Sequence, residues 1–425
     1  MSCRLLGFNS ALGVSLNYMM HDSSERDCVT GIYSQEVDLK GLVLFNNCER
    51  NLIRSIMDRG RRLNKVIANK NSKIYRDLKD IMREHTLSFL PAKSLFRFKG
   101  VCRDWKLQIS TPFFAHNQSN SFHNCSGFFC QSFSSPPSFI SLDQNSYGVP
   151  DPSLLFLPEP VYIRSSSNGL LCCQSRTDDK AYYICNPVTK QWKKLPKPNA
   201  DHGSNPALVL IFEPSILNFV AEYKLICAFS SADFESAIEF EIYNSTEGSW
   251  RIFGEIYFGA EELKPRSGVH VNGIIYWLFD SGGIVLFDLS MQRSQRLYGH
   301  NNGCLGVMNG KLSLVTVYNQ TLTVSVLSNT YTNTMALNSR VKAWDTKLSV
   351  NINNRLELSG VPTFGPAYDQ RPVLYASGDL IVIRGERGLY SFNMKTQEFV
   401  GLRAEADHDD HDMVFIGYVN SLVDI

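Results

Sequence analysis

Residue types that could ligate a metal, carry out general acid–base chemistry or cradle a phosphate occur at three places in this 425-residue chain. His116, His123, Cys125 and Cys130 are all zinc-ligand types, but their short spacing is not that of a finger. Cys130 falls inside GFFCQSF, which reads as a strand in which a thiol serves as a small core hydrophobe. His408, Asp409, Asp410, His411 and Asp412 crowd together in AEADHDDHD, where nothing around them fixes a coordination geometry, so a solvated acidic loop is expected. GVMNGKLSL offers a Gly-Lys pair without the spacing or the following Ser or Thr that a phosphate loop needs, and reads as a hairpin. There is no Gly-x-Ser-x-Gly elbow and no His-Glu-x-x-His. The expectation is a chain with no catalytic residues, no metal and no cofactor.

The chemistry that remains is that of association. Between Leu87 and Ser110, LSFLPAKSLFRFKGVCRDWKLQIS combines Lys93, Arg97, Lys99, Arg103 and Lys106 with Leu95, Phe96, Phe98, Val101, Trp105 and Ile109, against one acid, Asp104. From Leu78 to Phe114 the pattern is helical: Met82, Leu87 and Leu90 can share one face, Pro91 ends that segment, and apolar residues then recur at three- and four-residue steps to Ile109. Pro112 is expected to stop the last turn. Short helices of this size cannot bury their own apolar surface, so the segment needs something else to complete it.

These helices must be positioned by the rest of the chain, whose composition is that of a globular protein, 44% hydrophobic and 20% charged. A net charge of +1 gives no global reason to expect nucleic acid or a membrane as partner. Eleven cysteines, an odd number that includes the adjacent Cys172 and Cys173, point to reduced thiols and an intracellular location, nucleus or cytoplasm. Asn9, Ser10 and Ser15 interrupt the apolar run after Arg4, against a signal peptide, and no window is long and apolar enough for a membrane span. Residues 1–76 show no sustained period and form an irregular leader. From Arg54 to Arg76 eight basic residues face only Asp58, a solvated run or a nuclear-import or nucleic-acid patch, and Met57 could serve as an alternative start.

Beyond about residue 120 the chain reads as strands of four to eight residues, including AYYIC, EYKLICAF, EFEIYN, GIIYWLF, GIVLFDL, KLSLVTVY, LTVSVL, LIVI and GLYSFN. Asn-Gly pairs at Asn168, Asn272 and Asn309 signal hairpins. A looser unit of strand, Asn or Asp, polar turn and aromatic return strand starts at Cys185, Tyr243, Phe287 and Phe392, in steps of 58, 44 and 105. That period suits four-stranded propeller blades, the last step spanning two, with Trp192, Trp250 or Phe399 covering a neighbouring sheet. A tandem of β-sandwiches is the alternative.

Leu90-Pro91-Ala92-Lys93-Ser94-Leu95, Arg97-Phe98-Lys99, Val101-Cys102 and Trp105, followed by Ile109 and Phe113, resemble an F-box. Lys79, Arg83, Glu84 and Thr86 depart from the pattern of its first helix. Ser167 to Cys172, Cys185 to Trp192 with Leu195-Pro196, Phe212 to Ser215, Tyr223 to Leu225, Gly248 to Arg251, Val271 to Gly273 and Tyr276 to Leu278 resemble the F-box-associated, kelch-like β-propeller of plant F-box proteins. The resemblance implies a small all-α F-box module over 77–115 and a mainly-β propeller domain over 116–425, after the leader. It also implies the function of a non-catalytic substrate receptor in an SCF ubiquitin ligase. Leu78, Met82, Leu87, Leu90, Pro91, Leu95, Phe98, Val101, Trp105 and Ile109 would then bind a Skp-type adaptor, and through it cullin and RING subunits, with Phe98 and Trp105 as anchors, while the propeller holds a target protein. The rival expectations are a scaffold with a degenerate F-box, in which Trp105 and Ile109 simply pack on the propeller, and a propeller-fold enzyme.

Overall fold

Runs of β-branched and aromatic residues, interrupted by turns that need positive φ, build most of this chain. A computed structural model describes residues 86–132, 135–145, 147–214, 221–259, 261–298, 303–318, 320–328, 344–352, 373–385, 388–404 and 413–425. The leader, Leu78, Met82, Met57, Ser215 and the acidic run 405–412 lie outside the described residues.

The described chain starts with a 3-10 turn, Leu87–Phe89, and three short helices, α1 (Ala92–Phe98), α2 (Arg103–Ile109) and α3 (Pro112–Ser121). Pro112 does not merely stop a helix. It occupies the first turn of α3, where its missing N–H costs nothing, and the Thr111 hydroxyl caps that turn by accepting from Phe114 N at 3.2 Å. No helix among the described residues is long and apolar enough to cross a membrane.

Strands follow in antiparallel groups. β1 (Gly127–Gln131) and β2 (Ser138–Ser141) pair near the start of the β region. The first four-stranded sheet comprises β3 (Val161–Ser167), β4 (Leu170–Ser175), β5 (Tyr182–Asn186) and β6 (Gln191–Lys194). The second comprises β7 (Ala207–Phe212), β8 (Tyr223–Ser230), β9 (Ala237–Asn244) and β10 (Ser249–Phe258), and the third β11 (Val269–Val271), β12 (Ile274–Leu278), β13 (Ile284–Asp288) and β14 (Arg293–Leu297). An eight-stranded sheet consists of two such meanders: β15 (Gly303–Met308), β16 (Lys311–Tyr318), β17 (Thr321–Leu327) and β18 (Trp344–Asn351), then β19 (Val373–Ser377), β20 (Leu380–Gly385), β21 (Gly388–Asn393) and β22 (Phe399–Ala404). A single parallel pair, Val307 with Ser377, joins the two halves. The last strand, β23 (Val414–Tyr418), pairs with β1.

Strands β3, β7, β11, β15, β19 and β23 each touch the next, and β23 touches β3. The sheets therefore stand round a ring as in a propeller, five meanders and one three-stranded sheet among the described residues. The ring closes because its last inner strand, β23, joins a sheet whose other strands, β1 and β2, come from the far end of the β region.

The turn chemistry follows the sequence pattern. Both residues of each Asn-Gly pair have positive φ, 42° and 97° at Asn168-Gly169, 50° and 81° at Asn272-Gly273, and 50° and 69° at Asn309-Gly310. All three connect the first and second strands of a four-stranded meander. The looser repeat marks the turn from third to fourth strand. There a side-chain oxygen accepts from the backbone N–H two residues on: Asn186 from Val188 at 2.9 Å, Asn244 from Thr246 at 3.2 Å, Asp288 from Ser290 at 2.8 Å and Asn393 from Lys395 at 2.9 Å. The long step of the repeat passes over the sheet in which residues 328–343 separate β17 from β18.

After β23 the tail is held from three sides. The Asn186 amide donates to Ser421 O at 3.0 Å and Val423 O at 2.8 Å, and the Tyr418 hydroxyl donates to Gly169 O at 3.2 Å. Gln118 of α3 donates to Leu90 O and Asn420 O, both at 3.2 Å, and accepts from Leu422 N at 3.1 Å. Gly169 lies so close to this tail that a Cβ on it would fall 2.2 Å from the Ser421 Cβ. Gly169→Ala should therefore lower stability by more than about 2 kcal/mol, whereas Gly203→Ala, also at positive φ but with open space beside it, should cost about 1 kcal/mol. Asn186→Ala, which strands two buried carbonyls, should cost about 2–4 kcal/mol. Urea unfolding of the three variants measures each value.

Candidate functional site

The helical segment is placed by charge and by grease. Pro91, extended at ψ 152°, caps α1, and its carbonyl accepts from Ser94 and Leu95. Two of the basic residues hold α1 to the chain's own loop. Lys93 Nζ donates to Gln144 O at 2.5 Å and Tyr147 O at 3.0 Å, and Arg97 donates to Asn145 O at 3.2 Å, pinning α1 to the loop after β2.

The ten side chains expected to meet a partner divide. Leu87, Leu90, Leu95 and Ile109 are buried in a core shared with Phe129, Ile163, Leu171, Tyr183 and Tyr418 of the ring. Pro91 is buried too. Phe98, Val101 and Trp105 are half-buried. Phe98 and Trp105 meet edge-to-face, with ring centroids 5.4 Å apart, and both pack against that core. Leu78 and Met82 lie outside the described residues. The helices thus share one hydrophobic core with the β-strands, and the apolar surface that they cannot bury among themselves is buried in large part by their own chain.

What stays outside is a different set. Phe89, Phe96, Leu107 and Phe113 are 46%, 39%, 60% and 57% exposed, one on the 3-10 turn and one on each helix. Arg103, Asp104 and Lys106 are exposed on α2 beside Leu107. Lys99 Nζ sits 5.0 Å from the Phe96 ring centroid, within cation–π range. Its pKa is lowered by partial burial, with Asp424 opposing and Lys106 adding to the shift. These exposed apolar side chains, with Lys99 over Phe96 and Arg103 and Lys106 beside Leu107, suit an apolar partner face that carries acidic groups. Phe96 and Leu107 were legible as residues that break the amphipathic pattern, large apolar side chains off the Leu95 and Ile109 stripe.

Of the two clusters of ligand types, His408 to Asp412 lies outside the described residues. Among the described residues no group of three or more His, Cys, Asp or Glu could hold a metal. His116 is buried within α3, Cys130 is buried in β1, and His123 is exposed. Burial raises the Cys125 thiol to about 11. GVMNGKLSL is the β15–β16 hairpin. The eight described cysteines are free thiols, Cys173 and Cys185 lying 4.0 Å apart, sulfur to sulfur. Of the aromatics expected to cover neighbouring sheets, Trp250 is buried and donates to Pro196 O at 2.8 Å, tying the second sheet to the end of the first. Phe399 packs against Phe392 in its own meander, ring centroids 4.6 Å apart and planes tilted by 37°, and Trp192 remains 42% exposed.

A family model described as F-box protein At3g26010-like, beta-propeller, matches residues 113–421. The chain is similar to F-box protein At5g49610 of Arabidopsis thaliana, 31% identical over 45% of this chain and 55% of that one. F-box protein At5g07610 of the same plant is 31% identical over 58% of this chain and 62% of that one. The F-box/kelch-repeat protein At5g43190 is 29% identical over 49% and 51% respectively. The chain thus spans between half and two thirds of the length of these relatives.

The division between core and surface is testable by stability alone. Leu95→Ala should cost about 2–5 kcal/mol and Leu107→Ser no more than about 0.5 kcal/mol in chemical denaturation.

Proposed function

The chain belongs to the F-box protein At3g26010-like β-propeller family, and from that premise we propose that it is the substrate-recognition subunit of an SCF ubiquitin ligase. The observation that carries the proposal is the persistence of Phe89, Phe96, Leu107 and Phe113 at the surface of a helical segment whose Leu87, Leu90, Leu95 and Ile109 are buried in the core shared with the ring. This face, with Val101 and Trp105 at its edge, docks a Skp-type adaptor, and cullin and RING subunits join through the adaptor. Arg103 and Lys106 keep the face soluble and steer it to an acidic partner. Ubiquitin transfer takes place on other subunits. This chain contributes proximity, raising the effective concentration of lysines on a target protein held by the propeller. The free thiols among the described residues support an intracellular setting, nucleus or cytoplasm.

The burial of Leu87, Leu90, Leu95 and Ile109 in the chain's own core favours a second reading, in which the helices belong structurally to a propeller scaffold that binds no adaptor. Affinity capture separates the two. The full chain should retain a Skp-type adaptor, and the double variant Phe96→Ser, Leu107→Ser should lose at least about tenfold in capture with an unchanged thermal midpoint. Undiminished capture by that variant would remove the proposed face, and absence of capture by the unaltered chain would favour the scaffold.

A further inference from the structure

The helices and the tail lie at the end of the ring where β3 and β23 finish, beside the Asn168-Gly169 turn. Ser119 of α3 donates to Asn168 O in the β3–β4 hairpin, and Gln118 holds the residues after β23. At the opposite end, where β3 begins, Glu159 is held by Ser175, Thr177 and Tyr183, and Asp179 and Asp201 are paired with Lys194 and Lys180, whereas neither Arg164 nor Arg266 pairs with a carboxylate among the described residues.

Arg164 of β3 is only 4% exposed, and each hydrogen bond it donates ends on a neutral acceptor. Nε donates to Gln174 Oε1 at 2.9 Å, and the two terminal nitrogens donate to Asn205 Oδ1 at 2.8 Å and Ser204 O at 2.5 Å, just ahead of β7. Its guanidinium lies 5.1 Å from the ring centroid of Tyr162. Gln174 leads on to Tyr182 and His202, but the carboxylate at the end of that chain, Glu241, is already saturated by His202, Asn199 and Ala200. Arg266 precedes β11 in a segment whose Gly268 lies against Val209 of β7, so it belongs to the same end of the ring. Arg266 Nε is buried with no hydrogen-bond partner, and no ion pair among the described residues involves this guanidinium. Burial brings its pKa down to about 10; Arg164 pushes the same way and only Tyr162 opposes.

A cation held among neutral acceptors and another with a stranded donor are costly to bury, and such groups call for a counterion. We propose that this end of the ring, where Arg164 and Arg266 lie near each other, is a binding site for the carboxylate side chains of an acidic segment of a partner protein. The site deepens the receptor reading and rests on it, because it supplies the chemistry by which the propeller would recognise a target. It also places recognition at the end of the ring opposite the helices, leaving both surfaces accessible at once.

The test uses the full chain and a fluorescein-labelled peptide of glutamates, followed by anisotropy at low ionic strength. Binding should weaken steadily with added salt. Arg266→Met should weaken it by at least about tenfold, Arg266→Lys should keep part of it, and Lys347→Ala, an exposed cation on β18, should leave it unchanged. Because the buried charge opposes folding, Arg266→Met should also raise the thermal midpoint of the free protein by a few degrees, at roughly ΔΔG/ΔS. Peptide affinity undiminished in Arg266→Met would overturn the proposal, as would a lowered midpoint, which would make the guanidinium a structural strut. Binding of inorganic phosphate without binding of the peptide would equally reject a protein ligand. The assay needs no adaptor, so a chain that binds the peptide and captures no adaptor fails only the ligase reading, and the reverse outcome fails only this site.

Discussion

Closure of the ring is the constraint on which the rest of this molecule depends. An open arc of sheets leaves an unpaired strand edge at each end, and edges of that kind invite association with other chains. Here the two ends are sewn together by β23, which pairs with β1 across nearly the full length of the β region. The seam is then locked by buried amides: Asn186 and Gln118 between them engage residues 420 to 423. Buried polar groups are costly when unmet and specific when met, so these few residues define where the tail lies as well as holding it there.

The same lock determines what becomes of the helices. Gln118 bridges α3, the Leu90 carbonyl and the tail, so the helical segment is fastened at the point where the ring closes. Leu87, Leu90, Leu95 and Ile109 are thereby committed to the shared core, Phe98 and Trp105 lie half-buried against it, and Phe89, Phe96, Leu107 and Phe113 stay exposed. A surface of this kind is preorganised: its backbone is held before any partner arrives, which reduces the ordering cost of association.

Much of this was legible in the chain itself. Asn168-Gly169, Asn272-Gly273 and Asn309-Gly310 announce hairpins because few residue pairs adopt positive φ twice in succession. The recurring Asn or Asp after a hydrophobic strand announces a turn for an equally local reason. Hidden features depend on distant partners. Gln118 reads as a polar residue on a short helix, and its bond to Leu422 spans 304 positions. Arg164 reads as the polar side of a half-buried strand, yet it is enclosed by a loop from the next sheet. Leu95 and Phe96 are adjacent in sequence and similar in chemistry, and only the placement of α1 on the ring decides which is core and which is surface.

Native-state hydrogen exchange of the full chain tests most directly whether helices and ring form one body. Amides of α1 and α3 should share the opening free energy and denaturant dependence of those in β1 and β23, as members of one cooperative unit. Exchange of the helical amides through a separate, lower-energy opening, with β1 and β23 still protected, would contradict the account.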